Sequence, residues 1–162
     1  MTFELDEEKW RVAAEHVRFR GRLMEFAKES NRIEGITNAG ANERMFEKLE
    51  AFLKLEKLTL DNVCDFNDWG ILREMESMNV SVGGRLCLPG GKSVTRHLEL
   101  IINTLDKRSA YGNHFDFERL HPFTDGNGRT GRAIWLWQMV RQHDYDLSLG
   151  FLRKWYYQSL SE

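Results

Sequence analysis

The chain has 162 residues, of which 41% are hydrophobic and 30% charged, with a formal net charge of −2. That length and balance suit a single soluble globular domain with its own core, and the slight negative charge argues against a general nucleic-acid binder, which carries a basic excess. Cys64 and Cys87 are too few and too isolated for a disulfide framework or a zinc site.

The N-terminus, Met1-Thr2-Phe3-Glu4-Leu5-Asp6-Glu7-Glu8, is acidic with no apolar run behind it, so no signal peptide is visible. No apolar stretch reaches the roughly eighteen residues of a membrane span, and a cytoplasmic chain is expected. From Asp6 to about Glu34, Trp10, Ala13, Ala14, Val17, Leu23, Met24, Phe26 and Ala27 recur at helical spacing, and Gly35 offers the left-handed position that ends helices. Asn38-Ala39-Gly40 reads as a loop. Met45, Phe46, Leu49, Phe52, Leu53 and Leu55 mark a second amphipathic helix. Thr59 or Asp61 can cap a third, running through Val63, Phe66, Trp69 and Leu72.

The pattern then changes. Residues 79–91 alternate small apolar and polar side chains around Gly83-Gly84, the signal of a hairpin. Ser93 is expected to cap a fourth helix with the apolar face Leu98, Leu100, Ile101, Ile102 and Leu105. A fifth covers about Tyr111 to Leu120. Ala133 to Val140 is apolar all round, as in a helix buried on every side. A last helix would hold Leu149, Phe151, Leu152, Trp155, Tyr156 and Leu160. The fold class is all-α with one small β-hairpin, without internal repeat or linker.

Between the fifth helix and the buried one lies His121-Pro122-Phe123-Thr124-Asp125-Gly126-Asn127-Gly128-Arg129-Thr130-Gly131-Arg132. The first turn of a helix carries unpaired N–H groups and the positive end of its dipole. Gly126 and Gly128 allow close backbone approach to an anion. Arg129 and Arg132, three apart, share a helix face and can grip two phosphate groups, each charge-assisted bond contributing roughly 1.5–3 kcal/mol. Asp125 is out of place in so positive a site unless a divalent cation lies between it and the phosphates, and Mg²⁺ commonly takes one carboxylate plus phosphate oxygens. The alternatives are an ordinary helix entry and an Asp125–Arg129 surface ion pair. Gly126 to Gly131 also satisfies G-x-G-x-x-G, with Asp144 and Asp146 downstream. That dinucleotide fingerprint needs a buried strand before it, and the preceding Phe117 to Pro122 is charged.

These residues resemble the signature of the Fic (Fic/Doc) family, H-x-F-x-(D/E)-G-N-G-R-x-x-R, at every specified position: His121, Phe123, Asp125, Gly126, Asn127, Gly128, Arg129 and Arg132. His114 and Phe117 look like the family's approach helix. The resemblance implies a single Fic-type helical domain over residues 1–162, with an N-terminal helix at about 6–35 and a catalytic core at about 42–160. By position, His121 would be the general base and Phe123 a buried anchor. Asp125 would hold Mg²⁺, with Mn²⁺ the alternative. The N–H groups of Gly126, Asn127 and Gly128 would cradle phosphates, and the Asn127 side chain would contact the α-phosphate. Arg129 would bind the β- and Arg132 the γ-phosphate.

The implied reaction moves AMP from ATP to a Ser, Thr or Tyr hydroxyl of a target protein docked beside the hairpin as an added strand. Ser30-Asn31-Arg32-Ile33-Glu34-Gly35 fits the family's inhibitory motif (S/T)-x-x-x-E-(G/N), which implies that Glu34 pairs with Arg132 and blocks the γ-phosphate. Transfer of another nucleotidyl or phosphate group, removal of AMP, and a nucleotide-binding toxin or regulatory module with little turnover stay open as alternatives, as does a homo-oligomer. Neither nucleic acid nor membrane is expected as a partner.

Overall fold

The computed structural model describes residues 7–143. The expected last helix, Leu149 to Leu160, lies outside the described residues, as do the side chains of Trp10, Ala13 and Ala14. Two compact units divide the chain, with the boundary between Leu49 and Glu50.

In the first unit, α1 (Glu7–Ile33) buries Leu23, Phe26 and Ala27, while Val17, expected in the same stripe, is exposed. Gly35 closes the helix with φ 76°. Its N–H reaches the Arg32 carbonyl and the Ile36 N–H reaches Asn31, both at 2.9 Å, the paired bonds of a Schellman end. The loop expected at Asn38-Ala39-Gly40 is instead a helix start. Asn38 accepts the Ala41 N–H at 2.7 Å, and this cap launches α2 (Ala39–Leu53), whose residues up to Leu49 belong to this unit, despite the poor helix propensity of Gly40, about 1 kcal/mol. Met45, Phe46 and Leu49 are buried. The Asn31 amide ties the end of α1 to the Ala41 carbonyl at 3.1 Å and to Asn42 at 3.0 Å.

In the second unit, α3 (Leu60–Phe66) opens on a capping box between Thr59 and Asn62. It does not run through Trp69 and Leu72. Asn67 ends it, its side-chain oxygen accepting the N–H groups of Trp69 at 3.0 Å and Gly70 at 2.9 Å, so the chain turns out of the helix. Such local side-chain bonds compete directly with helix continuation. The hairpin forms where expected: β1 (Ser81–Val82) pairs antiparallel with β2 (Arg85–Leu86). Gly83 and Gly84 supply the two positive φ angles of its turn.

α4 (Lys92–Asn103) is capped by Gly91 without a side-chain bond, not by Ser93. Its Val94, Leu98, Ile101 and Ile102 are buried, but Leu100 is 61% exposed. Four residues of α4's stripe fill the inward face, and Leu100 is carried past it. After a 3₁₀ turn at Leu105–Lys107, Ser109 caps α5 (Ala110–Leu120) by accepting the Gly112 N–H. α6 (Asn127–His143) is buried at every position from Thr130 to Gln138, which its all-round apolar sequence requires.

The helices close a ring: α3 and α5 each touch both α4 and α6. Phe117, Phe123, Leu98, Ile134, Trp135 and Leu136 are all at most 2% exposed. Each such side chain contributes about 1.5–3 kcal/mol by leaving water. Polar clamps hold α6 in register: Gln138 donates to the Leu105 and Arg108 carbonyls at 2.9 and 2.8 Å and accepts from Asn113 at 2.8 Å. Trp137 donates to the Leu55 carbonyl at 2.8 Å.

Candidate active site

α5 ends at Leu120 and α6 begins at Asn127, so the His121–Arg132 stretch spans the connection between them and the first six residues of α6. His121 is the C-cap of α5 at φ 51°, ψ 61°, the only non-glycine residue with positive φ among the described residues. A non-glycine residue held there costs of order 1 kcal/mol or more and persists only when its surroundings enforce it. The enforcing group is Arg73, fully buried. Its guanidinium donates to the carbonyls of His121 at 2.7 Å and Leu120 at 2.9 Å, satisfying helix-end acceptors next to the negative end of the α5 dipole. The same group donates to Met78 at 3.0 Å and Leu88 at 2.8 Å, at the two roots of the hairpin.

The His121 ring is half-buried, and its Nδ1 is buried without a hydrogen bond. Burial lowers its pKa below the ordinary histidine value, and the Arg73 charge lowers it further. The Glu118 carbonyl and the Asp125 carboxylate act weakly the other way. The imidazole is therefore neutral near pH 7, the form able to accept a proton.

The rest of the turn is fastened to residues 67–73. Leu72 bridges Phe123, the Arg73 N–H reaches the Pro122 carbonyl at 2.9 Å, and the Thr124 N–H reaches Ile71 at 2.9 Å. The Asn67 amide donates to the Asp125 carbonyl at 2.9 Å. Gly70 is required by this approach, since a Cβ there would collide with the Asp125 backbone. Gly126 is required twice over, by φ 76° and by the Trp69 ring and Asn67 amide against it.

Phe123 is 1% exposed, the anchor the sequence suggested. Asn127 is turned inward and clips the turn shut: its amide donates to the Phe123 carbonyl at 2.8 Å and accepts the Phe123 N–H at 2.9 Å. Its side chain is thus committed to the turn and not open for the phosphate contact that the resemblance implied. The Thr130 N–H reaches the Gly126 carbonyl at 3.0 Å, and the N–H groups of Asn127 and Gly128 ahead of it belong to the first turn of α6, which offers them no acceptor within the helix.

Arg129 and Arg132 flank this entry, 7% and 1% exposed. The Arg129 guanidinium lies 4.0 Å over the Trp69 ring and 3.8 Å from the Asp125 carboxylate, which is 70% exposed. The ion pair weighed from sequence therefore forms, beside a carboxylate that still faces solvent. Deeper in, the His114 ring approaches the Gly131 carbonyl at 3.2 Å. Burial drops its pKa to about 4, with the Gly131 carbonyl opposing and the Arg132 charge adding to the drop. His114 is a neutral packing group.

Sequence reading missed Asn67, Trp69, Gly70 and Arg73. The cluster Asn67-Asp68-Trp69-Gly70 carries turn residues, but the apolar spacing of Trp69 and Leu72 pointed to a continued helix. The motif residues Ser30 and Glu34 belong to the first unit. Ser30 is 1% exposed in the last turn of α1. Glu34 is solvent-exposed at the cap just beyond Ile33.

A ring of helices with one short hairpin, and a helix entry flanked by two buried arginines beside a left-handed histidine, define the site. A sequence profile of the Fic/DOC family matches residues 48–139, more than half of the chain, and the chain belongs to that family. Membership makes it a transferase in general terms, within a family known for AMPylation or related transfers. No curated protein matches the chain at a significant level. Among the described residues, no helix is long and apolar enough to cross a membrane.

Proposed function

We propose that this chain is a protein adenylyltransferase that moves AMP from ATP to a Ser, Thr or Tyr hydroxyl of a target protein. The observation that carries the reading is one short turn holding a half-buried imidazole of lowered pKa and two buried guanidinium groups. His121 takes the proton of the target hydroxyl. The hydroxyl oxygen bonds to the α-phosphorus as the bond to the β-phosphate oxygen breaks, and pyrophosphate leaves. The N–H groups of Asn127 and Gly128 hold the phosphate being attacked, the Gly126 N–H being donated to the Asp125 carboxylate at 2.7 Å instead, and Arg129 and Arg132 hold the β- and γ-phosphates. Catalysis of this kind is mostly positioning and charge neutralisation.

Asp125 is the only carboxylate between His121 and Arg132, and it is exposed at the mouth of the entry. Among the described residues, no group of three or more His, Cys, Asp or Glu could hold a metal by itself. The residues fit a Mg²⁺ (or Mn²⁺) that takes one carboxylate and completes its shell with phosphate oxygens and water. Such an ion would supply charge neutralisation on the nucleotide.

Residues 1–162 are read as one Fic domain, with Ser30 and Glu34 as its restraint. The sequence motif supports a Glu34 carboxylate that pairs with Arg132 and keeps the γ-phosphate out. The target would dock beside the hairpin. Incubating Glu34→Gly protein with labelled ATP should give self- or target-labelling that His121→Ala abolishes, and the adduct mass should be that of AMP. A different added mass would mean another transferred group. Nucleotide binding without His121-dependent transfer would leave a binding module.

A further inference from the structure

Eight large apolar side chains are exposed among the described residues, and three of them line one groove: Leu86 at 66%, Leu88 at 37% and Leu100 at 61%. The groove runs between β2, α4 and α5 and has a volume of about 820 Å³. Buried Ile101 and Leu120 form its floor. Phe115, 40% exposed on α5, carries the Arg119 guanidinium 5.9 Å over its ring. Leu100 is the residue whose helical position predicted burial, so its exposure marks a face that folding leaves uncovered. Clustered exposed leucines of this kind mark interaction surfaces more often than isolated ones do.

The rim is basic. Arg85, Lys107, Arg108 and Arg119 line the groove, with Asp116 the one carboxylate, ion-paired to Arg108. That surplus of positive charge stands out in a chain whose net charge is −2. A small molecule would be poorly enclosed, because small-molecule sites bury most of their ligand and these leucines stay largely open. A nucleic acid would use the cations but not the leucines. Apolar walls under a cationic rim match a polypeptide that carries both apolar side chains and carboxylates, and complementary charge of this kind sets partner choice and encounter rate.

We propose that this groove docks a segment of a partner protein that carries leucine-sized side chains together with Asp and Glu. No residue of the His121–Arg132 turn lines the groove, so the docking role stands whatever group the turn transfers.

A random-peptide display library selected on the full-length protein tests it. The best labelled peptide is then titrated by fluorescence polarisation against wild type, Lys107→Glu, Arg119→Glu and Leu100→Ser. These side chains sit at the groove, and circular dichroism checks that each variant keeps its helical content. The expected peptides are rich in Leu, Asp and Glu, and bind about tenfold or more weakly to each charge-reversal variant. Binding should also weaken as salt rises, and Leu100→Ser should weaken it at every salt concentration. Neutral or basic selected peptides, binding untouched by the variants, or no enrichment would overturn the proposal. Sedimentation showing a homodimer that the same variants dissolve and the peptide cannot enter would also overturn it, making a second copy the occupant.

Discussion

Arg73 donates its Nε hydrogen to the His121 carbonyl at 2.7 Å, so a fully buried guanidinium fixes the backbone of the one left-handed non-glycine residue in the described chain. Its other nitrogens hold Leu120 and the hairpin roots at Met78 and Leu88. Candidate base and hairpin therefore share one anchor. Burial lowers the Arg73 pKa somewhat, but an arginine stays charged in proteins. Its charge is balanced by four carbonyl dipoles, not by a carboxylate.

Replacing Arg73 by Met should therefore be costly, because four buried or half-buried carbonyls lose their donor together. We expect a loss of roughly 3–5 kcal/mol, read as a lowered urea midpoint at unchanged slope. Arg73→Lys keeps the charge but not the planar fork, and should recover only part of it. Hydrogen exchange adds a second readout: the Cys87 N–H, bonded to Val80 at 3.0 Å, should lose protection in both variants. A midpoint shift below about 1 kcal/mol for Arg73→Met would mean that the guanidinium does not hold these segments together.

Two histidines give stability a definite pH dependence. His114 titrates at about 4 in the folded chain and His121 below its ordinary value, while both sit near 6.5 when unfolded. A depressed histidine pKa means that the unfolded state binds protons first, so stability rises with pH through this window. The contribution is complete above about pH 6.5 and is lost progressively as pH falls toward 4, by roughly 3 kcal/mol for His114 alone. His114→Gln should flatten this slope in denaturation curves taken across the window. If the slope is unchanged, His114 is not neutral and buried. For His121 the same direction predicts transfer activity that persists at pH values where a solvated imidazole would already be protonated.

The helices were legible wherever one apolar stripe met one buried face. α6 is the clearest case, since Ala133 to Val140 had no polar side to turn outward. The hairpin was legible because Gly83-Gly84 admits few other turns. The helix running through Trp69 and Leu72 was not, because Asn67 spends its side chain on the next turn and periodicity counts only apolar residues. Arg73 was illegible for a related reason: a charged residue among exposed neighbours looks solvated, and its four acceptors come from three separate stretches of chain. The signature residues were found together, but the inward turn of Asn127 onto Phe123 needed coordinates. A motif fixes residue identity and not which partner an amide bonds.

Two glycines make opposite predictions. Gly70→Ala would drive a Cβ into the Asp125 backbone, with the Thr124 hydroxyl also too close, and backbone cannot rotate away. Such overpacking typically costs 1–3 kcal/mol, and here it should also displace the α6 entry and weaken nucleotide binding. Gly21 lies inside α1 with nothing within 4 Å of the place an alanine methyl would take, so Gly21→Ala should stabilise by about 0.5–1 kcal/mol through helix propensity. Thermal unfolding of the two variants beside wild type checks both signs. A neutral Gly70→Ala would show that the approach of residues 70 and 125 is looser than described.

Asp125 lies 3.8 Å from Arg129 and opens to solvent, which places a negative charge where the proposed nucleotide is also negative. Without a metal the carboxylate opposes the phosphates and competes for Arg129. With Mg²⁺ it becomes a ligand shared with them. Asp125→Asn should therefore separate two quantities that wild type couples. ATP affinity measured by calorimetry in EDTA should stay level or rise, because a repulsive charge has gone. The Mg²⁺ concentration needed for half-maximal transfer should rise by about tenfold or more, since a neutral amide is a weaker ligand for a hard cation. Arg129→Ala should do the reverse, weakening ATP binding with or without Mg²⁺. Equal loss of affinity in both conditions for Asp125→Asn would instead make Asp125 a structural partner of Arg129, and the metal would have to be held elsewhere.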